Sequence, residues 1–234
     1  MSTSTVPAIA GKITSRTASV HIDPACNAFL SDCFRQFGIG IVPVEGDPVA
    51  ALNRQKFEAC VLRLYDPDAD RILKAARNSA SNRRMVIYGI ARNTQEALRY
   101  SNYGINAVLD EPLDRQSVLK IVRATHLLVI HELRRYVRIP VVSQAEIDTG
   151  STAPAMVTTV EVSSGGISVR SVTPLPKSEA VRLSLGLPGM EKLIVRAFIC
   201  WHRESDKVYG LRFDSSDDRR LKVRSWIDQY LEIV

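Results

Sequence analysis

The sequence has few cysteines, few aromatic residues and no long hydrophobic run. Its four cysteines include no CxxC pair, which disfavours a zinc site or a disulfide framework and predicts buried free thiols in a reducing compartment. No apolar run reaches the roughly eighteen residues that a membrane helix needs, and the first residues lack the apolar middle of a secretory signal. We therefore expect a cytoplasmic protein with no membrane span, in which residues 1–16 form a flexible tail.

Charge of one sign is not concentrated anywhere in the chain. The net charge of +6 divides into +4 over residues 1–127 (16 basic, 12 acidic) and +2 over residues 128–234 (15 basic, 13 acidic). Duplex nucleic acid requires a basic stripe, so no duplex partner is predicted. A small anionic ligand needs only a few well-placed arginines.

Catalytic constellations are also missing. Neither half of the chain contains a recognisable Ser-His-Asp set, paired carboxylates or a metal-ligating cluster, so we expect no enzyme activity, no metal and no cofactor. The composition, 45% apolar and 24% charged, nevertheless allows a packed core, and 234 residues suit two domains.

The first half alternates short apolar runs with segments of helical periodicity, the pattern of βα units on a parallel sheet. Five strands and five helices fit a flavodoxin-like doubly wound fold. The first helix is predicted to begin at Pro24 and to bury Ala28, Phe29, Cys33 and Phe37. The predicted strands are Ala18–Ile22, Gly38–Val44, Ala59–Leu64, Met85–Ile90 and Ala107–Leu109.

After Val129 the apolar residues recur at every second position, which predicts antiparallel strands closed into a six-stranded β-barrel. A terminal helix follows, with Ser215 or Ser216 as its cap and an apolar face of Leu221, Trp226, Ile227, Tyr230 and Leu231. The predicted strands are Arg138–Ile147, Ala155–Val162, Gly166–Val172, Glu179–Leu187, Lys192–Trp201 and Val208–Asp214. The fold class is thus α/β followed by all-β.

The predicted domains are residues 17–130 and residues 131–234, with almost no linker. The helix that ends the first domain has an apolar surplus at Leu127–Ile130. Because some of this surface needs a partner, we expect homodimerisation through the late helices of the first domain.

The first domain resembles the receiver domains of response regulators, through its βα order and its Asp23-Pro24 and Glu111-Pro112 steps. That resemblance places the phosphoacceptor at Arg63 and the metal-binding acidic pair at His21 and Ile22. It places the conserved Ser/Thr at Gly89 or Ile90 and the conserved Lys at Glu111. All of these residues differ from the family pattern, so the resemblance implies a receiver that is not phosphorylated.

Asp66, three residues after Arg63, leaves an alternative open. It is either a displaced phosphoacceptor or a turn residue that starts the next helix. Without a metal-binding acidic pair, the turn is favoured, because phosphoryl transfer to a carboxylate requires a cation.

Two motifs in the second domain resemble the paired signature of PilZ domains. Arg134 and Arg138 match RxxxR, with Arg135 between them, and EVSSGGIS at Glu161–Ser168 matches [DN]xSxxG at Ser163 and Gly166. Glu161 departs from the pattern, which has Asp or Asn there. The resemblance covers residues 131–234 and implies binding of cyclic di-GMP.

The residue chemistry agrees with that implication. An arginine guanidinium can fork onto phosphate oxygens or guanine edges, or stack on a base. Ser163 can donate to phosphate, Gly166 permits close approach of backbone, and a carboxylate at position 161 can accept from guanine. Taken alone, the arginines are usually a solvated basic face at a helix end, and SSGG alone is usually a hairpin turn.

Two functions follow from this interpretation. One is a cyclic di-GMP-binding signalling effector with a non-phosphorylatable receiver-like domain, which acts on an unidentified protein partner. The other is a PilZ-fold adaptor that has lost nucleotide binding and works through protein contacts, an alternative that Glu161 favours. A DNA-binding response regulator is disfavoured, since no helix-turn-helix follows the first domain.

Overall fold

A computed structural model describes residues 14–150, 153–176 and 180–231 of the chain. The chain divides into two units between Leu133 and Arg134. Residues 1–13 of the expected tail lie outside the described residues, whereas Ser15 and Arg16 already belong to the first strand. No helix among the described residues is long and apolar enough to cross a membrane.

The first unit contains a five-stranded sheet in which every pairing is parallel. The strand order is β2-β1-β3-β4-β5, which confirms the flavodoxin-like prediction. The strands are β1 (Ser15–Val20), β2 (Ile39–Pro43), β3 (Ala59–Arg63), β4 (Val86–Ala91) and β5 (Ala107–Asp110).

Five helices alternate with these strands, as predicted. They are α1 (Pro24–Arg35), α2 (Pro48–Arg54), α3 (Ala69–Asn78), α4 (Thr94–Arg99) and α5 (Arg115–Tyr136). Their apolar faces build one cluster on each side of the sheet, so β3 and β4 are almost wholly buried. The carboxyl ends of β1, β3 and β5 consequently meet at one edge, where ligand sites of this fold form.

Two details of the helices differ from the prediction. The face that α1 buries contains Leu30, Cys33 and Phe34, whereas Ala28 is exposed, because the helix meets the sheet on the neighbouring row of side chains. Within the predicted apolar segment Leu127–Ile130 of α5, Val129 and Ile130 are buried, whereas Leu127 and Leu128 are exposed. The apolar surface left without a partner in this segment therefore consists of two leucines.

The second unit is a closed antiparallel barrel of six strands, as predicted. Its members are β7 (Gln144–Asp148), β8 (Ala155–Ser163), β9 (Gly166–Arg170), β10 (Ala180–Leu185), β11 (Leu193–Arg203) and β12 (Val208–Phe213). The pairing β8–β9 closes the ring of β8-β7-β10-β11-β12-β9. A short 3₁₀ turn, Glu204–Asp206, joins β11 to β12.

The first predicted barrel strand, Arg138–Ile147, is interrupted. A two-residue strand β6 (Ile139–Pro140) and β7 both pair with β8. Between them, the backbone NH of Ser143 donates to Oγ1 of Thr159 at 2.9 Å instead of to a backbone carbonyl. This side-chain acceptor interrupts the ladder, a local choice that apolar periodicity does not reveal.

The terminal helix α6 (Arg220–Tyr230) begins later than predicted and has no side-chain cap. Ser216 Oγ donates to Asp214 instead. The helix buries Val223, Trp226 and Ile227, while Leu221 is exposed. The predicted caps at Ser215 or Ser216 and the predicted burial of Leu221 were therefore wrong. The side chains of the Asp214–Asp218 turn instead form hydrogen bonds within the turn and with neighbouring arginines.

The cysteines are free, but they are not all buried. Cys33 and Cys60 are buried, Cys26 is half-buried and Cys200 is exposed. The expectation of buried thiols was wrong for Cys200, because the register of β11 shifts at this residue.

Candidate ligand-binding cleft

A cleft of about 400 Å³ opens on the barrel surface, a volume within the range of small-molecule sites, roughly 300–1,000 Å³. It contains five of the six predicted site residues: Arg135, Arg138, Glu161, Ser163 and Gly166. The structure therefore brings these five predicted residues together around one cleft.

Two arginines of the RRYVR segment, Arg135 and Arg138, line the cleft at and after the end of α5. Arg135 lies in the last helical turn, and its guanidinium carbon is 5.7 Å from the centre of the Tyr136 ring. Arg138 is exposed, and its Nη1 donates to the backbone carbonyls of Arg135 and Val137 at 3.3 and 3.2 Å. Within the described residues no carboxylate pairs with Arg138, so its charge is available to a ligand.

Arg134, the sixth predicted residue, does not line the cleft. Its Nε donates to Oδ1 of Asp228 on α6 at 2.6 Å. Its backbone carbonyl accepts a hydrogen bond from Ser164 Oγ at 3.3 Å. Ser164 belongs to the turn between β8 and β9 and itself lines the cleft, so the backbone of Arg134 is tied to the cleft wall while its side chain is bound elsewhere.

The serine and glycine of the second motif shape the β8–β9 turn. Ser163 is buried, and its Oγ donates to the carbonyl oxygen of Gly166 at 3.0 Å, which closes the two-residue turn. Gly166 packs directly against the backbone of Leu211 on β12. Both residues therefore have a role in the barrel itself, independent of any ligand.

Glu161 reaches the cleft because the register of β8 shifts. The pairing of β8 with β9 is irregular between Thr159 and Glu161, so these residues do not share a face although they are two positions apart. Thr159 points into the barrel and is buried, whereas Glu161 lines the cleft. A β-bulge commonly redirects a side chain in this way.

Trp201 is a cleft residue that the motif reasoning did not assign. The pairing of β11 with β12 shifts between Ile199 and Trp201, which places both Cys200 and Trp201 on the outer face, with the indole 48% exposed. The indole lies directly against Gly210, where a Cβ would come within 2.0 Å of the ring. The sequence signal is the glycine directly opposite the tryptophan in YGLRF, which leaves room for a ring.

Arg212 is the second cleft residue that was missed. It is exposed on β12, and its guanidinium carbon lies 5.8 Å from the centre of the Phe198 ring. Together with Arg135 and Arg138 it gives the cleft three cations against the single carboxylate of Glu161. The cleft therefore favours an anion, and its wall offers an aromatic face on which a planar group can stack.

The first unit has a different arrangement at the carboxyl edge of its sheet. Arg63, at the end of β3, donates through Nη2 to Asp23 at 2.6 Å and through Nη1 to the carbonyl of His21 at 3.3 Å. Its Nε lies 3.7 Å from Glu111, whose other oxygen accepts from Tyr65 at 2.6 Å. The hydrogen bond from Arg63 holds the pKa of the Asp23 carboxyl below its ordinary value.

The same edge leaves no space for the hydroxyl residue of a receiver. A Cβ on Gly89 would lie 2.6 Å from a methyl group of Leu64, and Leu64 is buried. Arginine thus stands where the resemblance places a phosphoacceptor, and a buried leucine fills the space beside Gly89.

Asp66 forms a turn and a small polar cluster. Its Oδ1 accepts from the backbone NH of Asp68 at 2.7 Å, and its Oδ2 lies 3.0 Å from Nδ1 of His21. The ligand atoms of His21, Asp66 and Asp68 lie within 4.8 Å of one another, close enough to hold a metal ion, although exposed acidic groups are common without one. The expectation of no metal site did not anticipate this cluster.

Comparison with known proteins follows the division into two units. Residues 132–232 match the family model for the PilZ domain. No curated protein matches the chain.

Several solved structures are similar to one unit or the other. A receiver domain of a sensor histidine kinase from Pseudomonas aeruginosa is 19% identical over 49% of this chain and 98% of its own, with a TM-score of 0.42. The chemotaxis response regulator CheY4 of Vibrio cholerae is 14% identical over 48% of this chain and 98% of its own, with a TM-score of 0.42. The PilZ domain of CeSA from a cellulose-synthesizing bacterium is 19% identical over 40% of this chain and 97% of its own, with a TM-score of 0.34.

The family match covers the barrel and the signature residues around the cleft, and the strand order of the first unit is that of a receiver. Residues 132–232 of this chain are therefore a PilZ domain, and they follow an N-terminal unit with a receiver-like fold.

Proposed function

We propose that the barrel cleft binds cyclic di-GMP and that the protein is a second-messenger-dependent signalling adaptor. The observation that carries the proposal is the gathering of Arg135, Arg138 and Arg212 around one cleft whose wall includes an exposed tryptophan. A cyclic dinucleotide presents two phosphates and two guanines, so it matches both the cationic and the aromatic parts of this surface.

Four cleft residues have distinct roles in this proposal. The exposed guanidinium of Arg138 forks onto a phosphate or a guanine edge, and Trp201 supports a base by stacking. Glu161 accepts from the N1 and N2 donors of guanine. Ser163 contributes indirectly, because its hydroxyl already closes the turn that presents the backbone of Ser164 and Gly165.

Calorimetric titration with cyclic di-GMP tests the proposal. Arg138→Ala should weaken binding by roughly thirtyfold or more, the loss of about 2–4 kcal/mol for a charge-assisted fork. Arg182→Ala is the matched control, since Arg182 is an exposed arginine of the same barrel that lies outside the cleft. The absence of binding heat for the wild-type protein at about a hundred micromolar ligand would refute the proposal. This concentration is well above the dissociation constant that we expect of a functional messenger site.

A PilZ-fold adaptor that binds no nucleotide is the second candidate function, and the presence of Glu161 in the cleft favours it. Its side chain is one methylene longer than the family's Asp, which displaces the carboxylate and can forfeit about 1.5–3 kcal/mol of a charge-assisted hydrogen bond. Glu161→Asp should therefore tighten binding if the cleft binds the messenger. If neither the wild type nor Glu161→Asp gives heat, the ligand-independent adaptor is the better account.

The proposal includes a first unit that does not accept phosphate. This part is supported by Arg63, whose guanidinium occupies the acceptor position and pairs with Asp23 and Glu111. The guanidinium of Arg63 thus lies among carboxylates at the place where a receiver binds a metal ion and a phosphoryl group.

Self-association through the first unit is also part of the proposal. Leu127 and Leu128 are exposed side by side on α5, at 72% and 49%, and a second copy would cover them. Sedimentation at tens of micromolar should give a dimer mass, and Leu127→Glu should shift the protein to monomer. A monomeric wild type would remove this part without affecting the proposed ligand.

A further inference from the structure

Arg134 is bound away from the cleft although its motif partner Arg138 is exposed at it. Its guanidinium Nε and Oδ1 of Asp228 are 2.6 Å apart, and the two side chains are only 18% and 22% exposed. Partial burial strengthens such a pair relative to one in open solvent, because the local dielectric is lower. The pair is therefore a defined contact within the second unit.

The backbone of Arg134 is nevertheless at the cleft. Its carbonyl oxygen accepts from Ser164 Oγ, and Ser164 and Arg135 both line the cleft. A change of side-chain rotamer moves a guanidinium by several ångströms without moving the backbone, since an arginine has four rotatable side-chain bonds. Arg134 therefore needs only a change of side-chain rotamer, and no movement of its backbone, to contact a ligand in the cleft.

The two anions compete for one cation in this geometry. A guanidinium binds a phosphate or a carboxylate best through a pair of parallel N–H groups on one edge, and the Nε edge of Arg134 faces Asp228. An anionic ligand in the cleft that takes the Nε edge of Arg134 does so at the expense of that hydrogen bond.

We propose that Asp228 on α6 acts as an internal competitor, which holds Arg134 out of the cleft until the ligand takes it. This inference rests on the proposed function and adds its regulation: affinity for the dinucleotide is set partly by a carboxylate that never touches the ligand. When the ligand takes Arg134, Asp228 on α6 loses its cationic partner. Filling the cleft therefore changes the charge that α6 presents at its surface.

A double-mutant titration with cyclic di-GMP tests this competition. Asp228→Asn should tighten binding by about fivefold, the equivalent of ~1 kcal/mol for a partly exposed ion pair. In an Arg134→Ala background the same substitution should change nothing, and Arg134→Ala alone should weaken binding. The matched control is Asp148→Asn, which breaks the Arg182–Asp148 pair, also 2.6 Å long and outside the cleft.

The competing account is that the Arg134–Asp228 pair merely fastens α6. In that case Asp228→Asn lowers the melting temperature and leaves affinity unchanged or weaker, or it acts equally in the Arg134→Ala background, and the inference is overturned. Failure of the proposed function is separate, since it appears as no binding by the wild-type protein or as full binding by Arg138→Ala.

A second measurement uses the unaltered chain and does not depend on the stability of a variant. In ¹⁵N-labelled wild-type protein, the Nε–Hε signal of Arg134 should move when cyclic di-GMP saturates the cleft, while that of Arg182 should stay. An unmoved Arg134 signal at saturation contradicts the competition.

Discussion

The carbonyl oxygen of Leu211 occupies the space beside Gly166 so closely that a Cβ on this glycine would lie 2.1 Å away. Leu211 and Gly166 belong to adjacent strands, β12 and β9, so the obstacle is backbone and cannot turn aside. The glycine of the second signature is thus required by the barrel before any ligand is considered.

Gly166→Ala should destabilise the barrel by about 1–3 kcal/mol or more, the usual cost of forced overpacking. Thermal unfolding followed by circular dichroism measures this loss. Gly165→Ala is the matched control, because nothing lies within 4 Å of a Cβ at the neighbouring position. Equal melting temperatures for the two variants would contradict the assigned role, and weakened ligand binding by Gly166→Ala alone does not identify a ligand contact.

Trp201 and Glu161 illustrate which part of the site the sequence could not predict. The alternation Leu193, Val195, Ala197 and Ile199 points every second residue of β11 into the barrel, and its continuation would bury Trp201. A register shift turns the indole outward instead. A single inserted residue leaves the local composition unchanged, so periodicity cannot locate it.

The fold itself was predictable because its signals are long and repeated. Five βα units each repeat the same apolar pattern, and the barrel strands β10 and β11 alternate over most of their six and eleven residues. The position of the cleft was also predictable, since Arg138 and Glu161 belong to motifs with a fixed spacing. The partner of Arg134 was not, because Asp228 is 94 residues away in the chain and nothing local links them.

Trp201 should report on the cleft by fluorescence. A base that stacks on the exposed indole should quench the Trp201 emission, obtained as the difference between wild-type protein and Trp201→Phe. The other tryptophan, Trp226, is buried and donates through Nε1 to the carbonyl of Pro188 at 2.8 Å, so its emission should stay constant. Quenching that persists in Trp201→Phe would place the ligand elsewhere.

Acetyl phosphate or beryllofluoride with Mg²⁺ should leave the first unit unchanged, because the acceptor position holds Arg63 and its carboxylate neighbours are already paired. Mass spectrometry and amide chemical shifts measure this. A phosphorylated peptide that contains Asp66 would contradict it and revive the displaced acceptor.

Arg63→Asp should lower the melting temperature at neutral pH, because three carboxylates would then face one another without a cation. Millimolar Mg²⁺ should recover part of the loss. Arg63→Met is the control, since it removes the cation without adding an anion and should respond to Mg²⁺ much less. Equal responses of the two variants would show that the substitution acts by packing alone.

Glu58 gives the first unit a pH dependence of defined sign. Burial raises the pKa of its carboxyl above the ordinary value of 4.5, although Oε2 accepts from the backbone NH of Arg16 at 2.7 Å. A group with a raised folded pKa contributes stability that is present below its unfolded pKa and is lost as pH rises through the folded pKa.

Glu58→Gln should therefore raise the melting temperature at pH 7, because the buried wild-type carboxyl must ionise there at a cost in folding free energy. The advantage should shrink as pH falls through the raised pKa toward 4.5, where wild-type Glu58 is protonated too. Melting curves of both proteins between pH 4.5 and 8 measure the difference. A difference that is constant with pH would contradict the assignment.

The most direct measurement of the central claim is a ¹H–¹⁵N titration of the full chain with cyclic di-GMP. Shifts should concentrate on the amides of residues 163–168 and 210–212 and on the indole NH of Trp201, and Arg138→Ala should need roughly thirtyfold more ligand to reach the same shifts. No shift at saturating ligand, or shifts that centre on residues outside the cleft, would contradict a cyclic di-GMP site in this barrel.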